Sequence, residues 1–485
     1  MNDTSTVTNF IGGEYCEPRS GNWLDNIDPA RGVVAGRVAN SGRDDIEAAV
    51  TAAESAFARW SQLPMARRAL VLNRIADGIE SRLDELAAAE CLDGGKPITR
   101  AKTIEIPRAA SNFRYYAAAA TQFSSEFHDS IGHSAINYTV RQPLGAVACI
   151  SPWNLPLYLL TWKVAPAMAM GNCVIAKPSE LTPRTAYLLG EICNEAGLPA
   201  GVLNIVHGEG ASAGQAILEH QRIKAVSFTG GSETGKHVAS VVAPQLRKFS
   251  LELGGKNPNL IFADCDYQKA LQTSVFTAFA NQGQICLCGS RILIEQSIYE
   301  TFKQDFIERT KQLVLGDPGL ESTQIGALVS KPHFEKVCEY LELARSGEGG
   351  AKVLCGGRPA TVDGFEQGYF VEPTIIEVAT NQCRLNQEEI FGPIVTLMPF
   401  TDEQHAIELA NDVSFGLSAT VWSNQNDRVM RVSRAVDAGV VWVNTWLMRD
   451  LRTPFGGMKS SGVGREGGVD SLRFFTEPKN VCISY

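Results

Sequence analysis

Apolar residues recur at three- and four-residue spacing over residues 44–60 and 65–90, with alanines between them, which predicts two amphipathic helices. Gly94, Gly95 and Pro97 stop the second, and a third helix is expected over 104–121. Residues 134–141 read instead as a polar, extended strand that pairs outside the main core. From Gly145 the rhythm changes. Short apolar runs at 146–151, 173–176, 202–206, 225–228 and 249–253 alternate with helical stretches at 182–196, 213–220 and 232–242. In the first of those helices Thr182 can cap, Pro183 suits the first turn and Gly197 can end it. A second alternating set follows Gly255: a strand at 259–262, a helix reaching Asn281, a strand at 291–295, further elements to Asn444, and a last short strand at 480–485. Such alternation implies an α/β protein with parallel sheets covered by helices on both faces, the architecture that binds dinucleotides.

With 485 residues the chain exceeds a single core, so two or three domains are expected. A net charge of −9 argues against a nucleic-acid or anionic-membrane surface. Residues 1–6 have neither the basic nor the apolar run of a secretory leader. The apolar stretch 155–176 includes Lys163, Pro166, Gly171 and Asn172, so it reads as a buried segment rather than a membrane span. Twelve scattered cysteines contain no CxxC pair and no His/Cys cluster, so neither a metal site nor a disulfide scaffold is expected, and a reduced cytoplasmic setting fits.

The chemistry is expected in the turn between the helix reaching Asn281 and the strand at 291–295, where Gly283 breaks the helix and Cys286 and Cys288 follow. A thiol held there is fixed and partly exposed, as a nucleophile must be; a pair of small packed residues is the alternative. Two glycine clusters compete for a phosphate. Gly208, Gly210 and Gly214 have one residue too many for GxGxxG, whereas Gly230, Gly231 and Gly235 sit at the start of the helix from Ser232, where backbone N–H groups and the dipole favour an anion.

Seven signatures then resemble, in order, those of the aldehyde dehydrogenase superfamily. They are Pro152-Trp153-Asn154-Leu155-Pro156, Lys177-Pro178-Ser179-Glu180, Phe228 to Ser232, Leu251 to Lys256, Gly283 to Cys286, Glu388 to Pro393, and Pro454 to Gly462. The resemblance implies a Rossmann-like NAD-binding domain (residues 1–120 and 142–253), an α/β catalytic domain (254–453), and a small β oligomerisation arm with bridging segments (121–141 and 454–485). A homodimer or homotetramer would follow, since a short ribbon needs a partner's contacts.

By the same resemblance Cys286 is the nucleophile, Asn154 and the Cys286 N–H stabilise the oxyanion, and Glu252 is the base that hydrolyses the thioester. A carboxylate between Leu251 and Leu253 on a buried strand should have a raised pKa. A free thiol ionises near pH 8.5, so the site is expected to help Cys286 lose its proton. Lys177 and Glu180 resemble adenosine-ribose contacts, and a carboxylate there favours NAD over NADP. Gly230, Gly231, Ser232 and Gly235 resemble the pyrophosphate loop; Gly231 stands where the family commonly has serine. Glu389 and Phe391 would hold the nicotinamide ribose and ring, with Trp153 and Leu253 in the same cleft.

The substrate is read from the mouth. Asn444-Thr-Trp446-Leu-Met-Arg449-Asp450-Leu-Arg452, just before Phe455, is similar to the branch acting on 2-aminomuconic and 2-hydroxymuconic semialdehydes. Guanidinium groups suit the carboxylate that such aldehydes carry at the far end. Arg108 resembles a second arginine of that branch. Local pairs, Arg449 with Asp450 and Arg108 with Glu105, are the competing readings. A broad-range dehydrogenase for retinal, betaine aldehyde or aliphatic aldehydes is the alternative function; a binding protein or a cysteine hydrolase fits less well, because Cys286, Asn154 and Glu252 are all present and no histidine lies near Cys286 in sequence.

Overall fold

The structure, a computed structural model, describes residues 5–485. Residues 1–4, which belong to the stretch read for a leader and to the segment 1–120, lie outside the described residues. Five largely buried strands, Ala146–Ile150, Cys173–Lys177, Leu203–Ile205, Ala225–Thr229 and Lys248–Glu252, run parallel within an eight-stranded sheet. Asn9–Ile11 and Glu14–Cys16 extend it beyond Leu203–Ile205 in antiparallel sense. Gly462–Val463 closes the opposite edge against Lys248–Glu252, so the segment from 454 lends a strand to this sheet.

The chain moves outward from Ala146–Ile150 through the next two strands, then returns to its other side with Ala225–Thr229. Loops leaving Ile150 and Thr229 therefore diverge, and a crevice opens at the carboxyl ends of these strands. A second, seven-stranded sheet contains the parallel strands Thr374–Glu377, Ile394–Phe400, Arg291–Glu295, Pro258–Ile261, Ser418–Trp422 and Val440–Val443, in that spatial order. Residues 253–257 link the end of Lys248–Glu252 to the start of Pro258–Ile261. The carboxyl edge of the first sheet thus meets the amino edge of the second, and the loops at this junction carry the chemistry-bearing side chains.

A third sheet stands apart. Ala135–Pro143 pairs antiparallel with Phe127–Ser130 and, over nine residues, with Thr476–Ser484, a strand that begins four residues before the predicted 480. Among the described residues no helix is long and apolar enough to cross a membrane. The stretch 155–176 is a buried helix, Pro156–Ala169, followed by a strand.

Three local expectations need correction. The helix expected over 65–90 is two, Met65–Ser81 and Leu83–Gly94, broken at Arg82 (φ −108°, ψ 25°), whose guanidinium bonds Glu85 (2.6 Å) and Glu191 (2.7 Å). Apolar spacing continues across that break, which is why periodicity misses it. The third helix starts earlier, as Ile98–Arg100 and a π-helical turn Ala101–Glu105 leading into Ile106–Thr121. Thr182 does not cap its helix: Pro183 is the cap residue, Arg184–Glu195 follows, and the buried Thr182 hydroxyl has no hydrogen-bond partner.

Candidate active site

Helix Tyr267–Phe279 gives way to a tight turn in which Asn281 (φ 52°) and Gln282 (φ 55°) are left-handed. Gly283 is left-handed too (φ 71°), and a Cβ on it would overlap the Gly392 carbonyl; both facts require glycine. The turn delivers Cys286 half-buried at the sheet junction, where Asn257 Nδ2 donates to the carbonyls of Cys286 (2.7 Å) and Cys288 (2.9 Å). Trp446 Nε1 donates to the Leu287 carbonyl (3.0 Å). Cys288 is buried, its Sγ 3.8 Å from the Ala280 carbonyl, so it packs beneath the turn.

Asn154 follows Ala146–Ile150 and is buried. Its Nδ2 donates to the Gln284 carbonyl (3.0 Å). A primary amide has two N–H groups, so one orients the amide and the other remains for a ligand. Glu252 ends its strand with both carboxylate oxygens buried and without hydrogen-bond partners. Burial, then the neighbouring Glu466, pushes its carboxyl well above the usual range, while Lys163 and Arg449 oppose the shift. Glu466 Oε1 accepts from Lys163 Nζ (2.6 Å) and Ser227 Oγ (2.8 Å). Sequence reading missed this group; a lysine inside the apolar helix Pro156–Ala169 was its signal, and it was read only as evidence against a membrane span.

Two cavities meet at Cys286, and both also touch Thr229 and Leu253. One, of about 190 Å³, is bounded by Trp153, Asn154, Gly230, Gly231, Glu389 and Phe391. The other is narrower and mostly apolar, with Glu252, Glu466, Trp162, Arg100, Arg449 and Phe455 in its walls. A larger cleft of about 600 Å³ shares Arg100 and Ile104 with the narrow cavity but is not lined by Cys286, Asn154 or Glu252.

In the first cavity the Trp153 and Phe391 rings stand edge to face, 5.2 Å apart. Phe391 is left-handed (φ 62°), held by His333, whose Nε2 donates to the Phe391 carbonyl (2.7 Å). Burial lowers His333 to about 4, so it is neutral with its Nε2 proton engaged, and no hydrogen bond joins it to Cys286 among the described residues. His333 and Lys336 both line this cavity and were missed; neither lies in a recognisable motif. Glu389 Oε1 accepts from Gly255 N (2.9 Å), and a Cβ on Gly254 would overlap its carboxylate. Ser232 Oγ, at the first turn of Ser232–Val242, is buried without a partner, and a Cβ on Gly231 would meet nothing: this loop leaves room and an unused polar group for a ligand. Gly235 lies behind the loop, where a Cβ would strike Leu253; its place is helix-to-strand packing. Lys177 and Glu180 lie outside this cavity, joined at 3.3 Å at the end of the strand Cys173–Lys177.

The thiol departs from expectation. Burial, with the Glu389 and Glu252 carboxylates, pushes Cys286 up rather than down, against weaker help from Arg449. Burial and these two carboxylates therefore hold the thiol proton, and Arg449 is the nearby cation that opposes them.

The arginines separate. Arg449 lies over the rings of Phe455 (3.9 Å) and Trp162 (5.2 Å), in the wall of the narrow cavity. Arg108 lies over Tyr158 (5.5 Å) and Trp162 (5.8 Å), with Nε and Nη2 buried and without partners. Neither local pairing holds: Glu105 takes Lys96 and Arg100, and Asp450 takes Arg452 (2.6 Å). Arg452 is 79% exposed and engaged in that solvent-facing pair, and it lies outside both cavities that meet at Cys286.

The chain matches the Aldehyde dehydrogenase family over residues 15–481. It belongs to that family. The 2-aminomuconic semialdehyde dehydrogenase of Mus musculus is 46% identical over 488 residues, covering 99% of this chain and 98% of that protein. The 2-hydroxymuconic semialdehyde dehydrogenase of Pseudomonas sp. (strain CF600) is 45% identical, covering 98% and 99%. Among solved structures, an indole-3-acetaldehyde dehydrogenase complexed with NAD+ superposes with a TM-score of 0.97 at 36% identity, covering 100% of this chain and 98% of that one. The family's fold is therefore the fold of this chain, from the amino-terminal strands to the terminal arm.

Gly283→Ala tests the turn. Overlap with the Gly392 carbonyl at a positive φ should force Cys286 out of place and cost roughly 3 kcal/mol or more. Thermal unfolding and titration of thiol reactivity should both change; a variant with the parent's melting temperature and thiol reactivity would contradict the assignment.

Proposed function

We propose that this chain is a cytoplasmic, hydrolytic, NAD-dependent aldehyde dehydrogenase whose substrate is an unsaturated semialdehyde with a distal carboxylate, of the 2-aminomuconic or 2-hydroxymuconic type. The observation that carries the substrate reading is Arg449, a guanidinium held on the Phe455 and Trp162 rings in the wall of the Cys286 cavity, with Arg108 over Tyr158 and Trp162 behind that wall; neither is in an ion pair among the described residues. Cations desolvated in this way gain most from an incoming carboxylate. The same charges repel a quaternary ammonium, which disfavours betaine aldehyde.

The residues present fit the dinucleotide. Lys177 and Glu180 would take the adenosine ribose, Gly230, Gly231 and Ser232 the pyrophosphate, and Glu389 and Phe391 the nicotinamide riboside beside Trp153. Cys286 Sγ adds to the aldehyde carbon, and the resulting oxyanion accepts from the free N–H of Asn154 and from the Cys286 backbone. The chemistry supplied by bound NAD is hydride acceptance, which turns the Cys286 adduct into a thioester. Glu252 then takes one proton from water, whose oxygen attacks the acyl carbon; the C–S bond breaks, the Cys286 sulfur takes the proton of the new carboxylic acid, and a carboxylate is released. Twelve unpaired cysteines suit a reducing compartment, and the three-stranded arm with exposed Phe127, Ile131 and Ile483 suits a homodimer or homotetramer.

Arg449→Ala should lower kcat/KM for a muconic semialdehyde by roughly 10²–10³-fold, the order lost with one charge-assisted contact in a dry site, and for an unsubstituted aliphatic aldehyde by no more than about tenfold, the loss of its help to Cys286 and Glu252 alone. Equal losses on both substrates would remove the carboxylate clamp. Because burial and Glu466 raise Glu252, its basic form appears only at pH above the ordinary glutamate value of about 4.3. The single-turnover rate of thioester hydrolysis should therefore climb with pH along a limb displaced to the alkaline side. Lys163→Met, by removing an opposing cation, should move that limb further up; an unmoved or acid-shifted limb would contradict the account.

A further inference from the structure

Helix Leu83–Gly94 ends on Gly95, whose left-handed backbone (φ 64°) turns the chain inward and buries Lys96. An ammonium removed from water needs an acceptor for each of its three donors. Lys96 Nζ donates to Glu105 Oε2 (2.5 Å), to the Asn154 carbonyl (2.9 Å) and to Glu90 Oε2 (3.3 Å). The carboxylates reach onward. Glu105 Oε1 accepts from Arg100 Nε (2.7 Å), and Arg100 stands in the wall of the narrow cavity beside Cys286. Glu90 Oε1 accepts from Leu157 N (2.9 Å) in the first turn of Pro156–Ala169. One buried ammonium thus ties Asn154 to the first turn of the helix that follows it. Glu105 closes the π-helical turn Ala101–Glu105, a distortion found frequently at functional sites.

We propose that Lys96 is a positioning residue for the reaction: through the Asn154 carbonyl it fixes the backbone from which the Asn154 amide is aimed at the oxyanion, with Glu105 as its counter-charge and Glu90 as a further acceptor. The inference rests on the thioester reading above. A buried ion cluster adds little net stability compared with apolar groups of equal volume. What apolar side chains cannot supply is a directed hydrogen bond to Asn154. Asn281 Nδ2 reaches the same carbonyl (3.1 Å) from the cysteine turn, so the two halves of the oxyanion site converge on one atom.

Lys96→Met removes the charge and all three donors with little change in side-chain length. It should lower kcat for NADH formation by roughly 30-fold and leave KM for aldehyde and for NAD within about threefold. Alkylation of Cys286 by iodoacetamide, followed by peptide mass, creates no oxyanion, and its rate should stay within about twofold of the parent. Lys96→Arg should recover part of the lost kcat. An unchanged kcat, or alkylation slowed in parallel with it, would overturn the proposal. If Lys96→Met does not fold, Glu105→Gln, which keeps the lysine and the volume, is read by the same two rates. There kcat should fall roughly fivefold with alkylation unaltered, and a parental kcat would overturn the proposal. A parent protein that forms no NADH from any aldehyde would instead remove the reading on which the inference rests.

Discussion

Everything at the active site depends on three buried asparagine amides that hold one turn in place. Asn257 grips the carbonyls of Cys286 and Cys288, Asn281 bridges those of Asn154 and Gln284, and Asn154 donates to Gln284. Each links segments that belong to different parts of the fold: the loop after Ala146–Ile150, the link between the two sheets, and the turn after Tyr267–Phe279. A neutral amide can do this in a dry interior because it satisfies backbone carbonyls without bringing charge near the thiol. The left-handed residues at 281–283 are the cost, and the close approach of Gly283 to Gly392 shows how little freedom the turn keeps.

Charge is arranged on a second level, around that neutral frame. Glu252 sits bare and buried, while Glu466 beside it is held by Lys163 and Ser227. Two acids in one dry pocket cannot both ionise cheaply, and burial beside Glu466 raises the pKa of Glu252. The half-buried thiol is subject to the same rule, and both nucleophile and base are pushed toward their protonated forms. Positive charge enters the narrow cavity from Arg449, and the aromatic rings beneath it keep that charge facing the cavity rather than water. Substrate preference and catalytic ionisation thus share one electrostatic setting.

Much of this was legible from residues in order. Alternation of apolar runs and helices gave the parallel sheets, and the motifs around Asn154, Glu252 and Cys286 named side chains that the fold brings to the two cavities meeting at Cys286. Contacts between distant segments were not legible. Lys96 lies unmarked between Gly95 and Pro97 of a helix stop and Lys163 inside an apolar run, and their partners, Asn154 and Glu466, lie 58 and 303 residues away. Arg452 and Arg449 look alike in sequence; three residues apart, one faces solvent and takes Asp450 and the other turns onto Phe455. Arg82 broke a helix whose apolar period runs on unbroken, since the break answers to Glu191 on another helix.

The central claim is a covalent acyl group on Cys286 that Glu252 clears. Glu252→Gln, mixed with NAD and a muconic semialdehyde and examined by intact and peptide mass spectrometry, tests it most directly. The account predicts one acyl adduct per chain, located on Cys286 and dependent on NAD. No adduct, or an adduct on Cys288 or another cysteine, would contradict it.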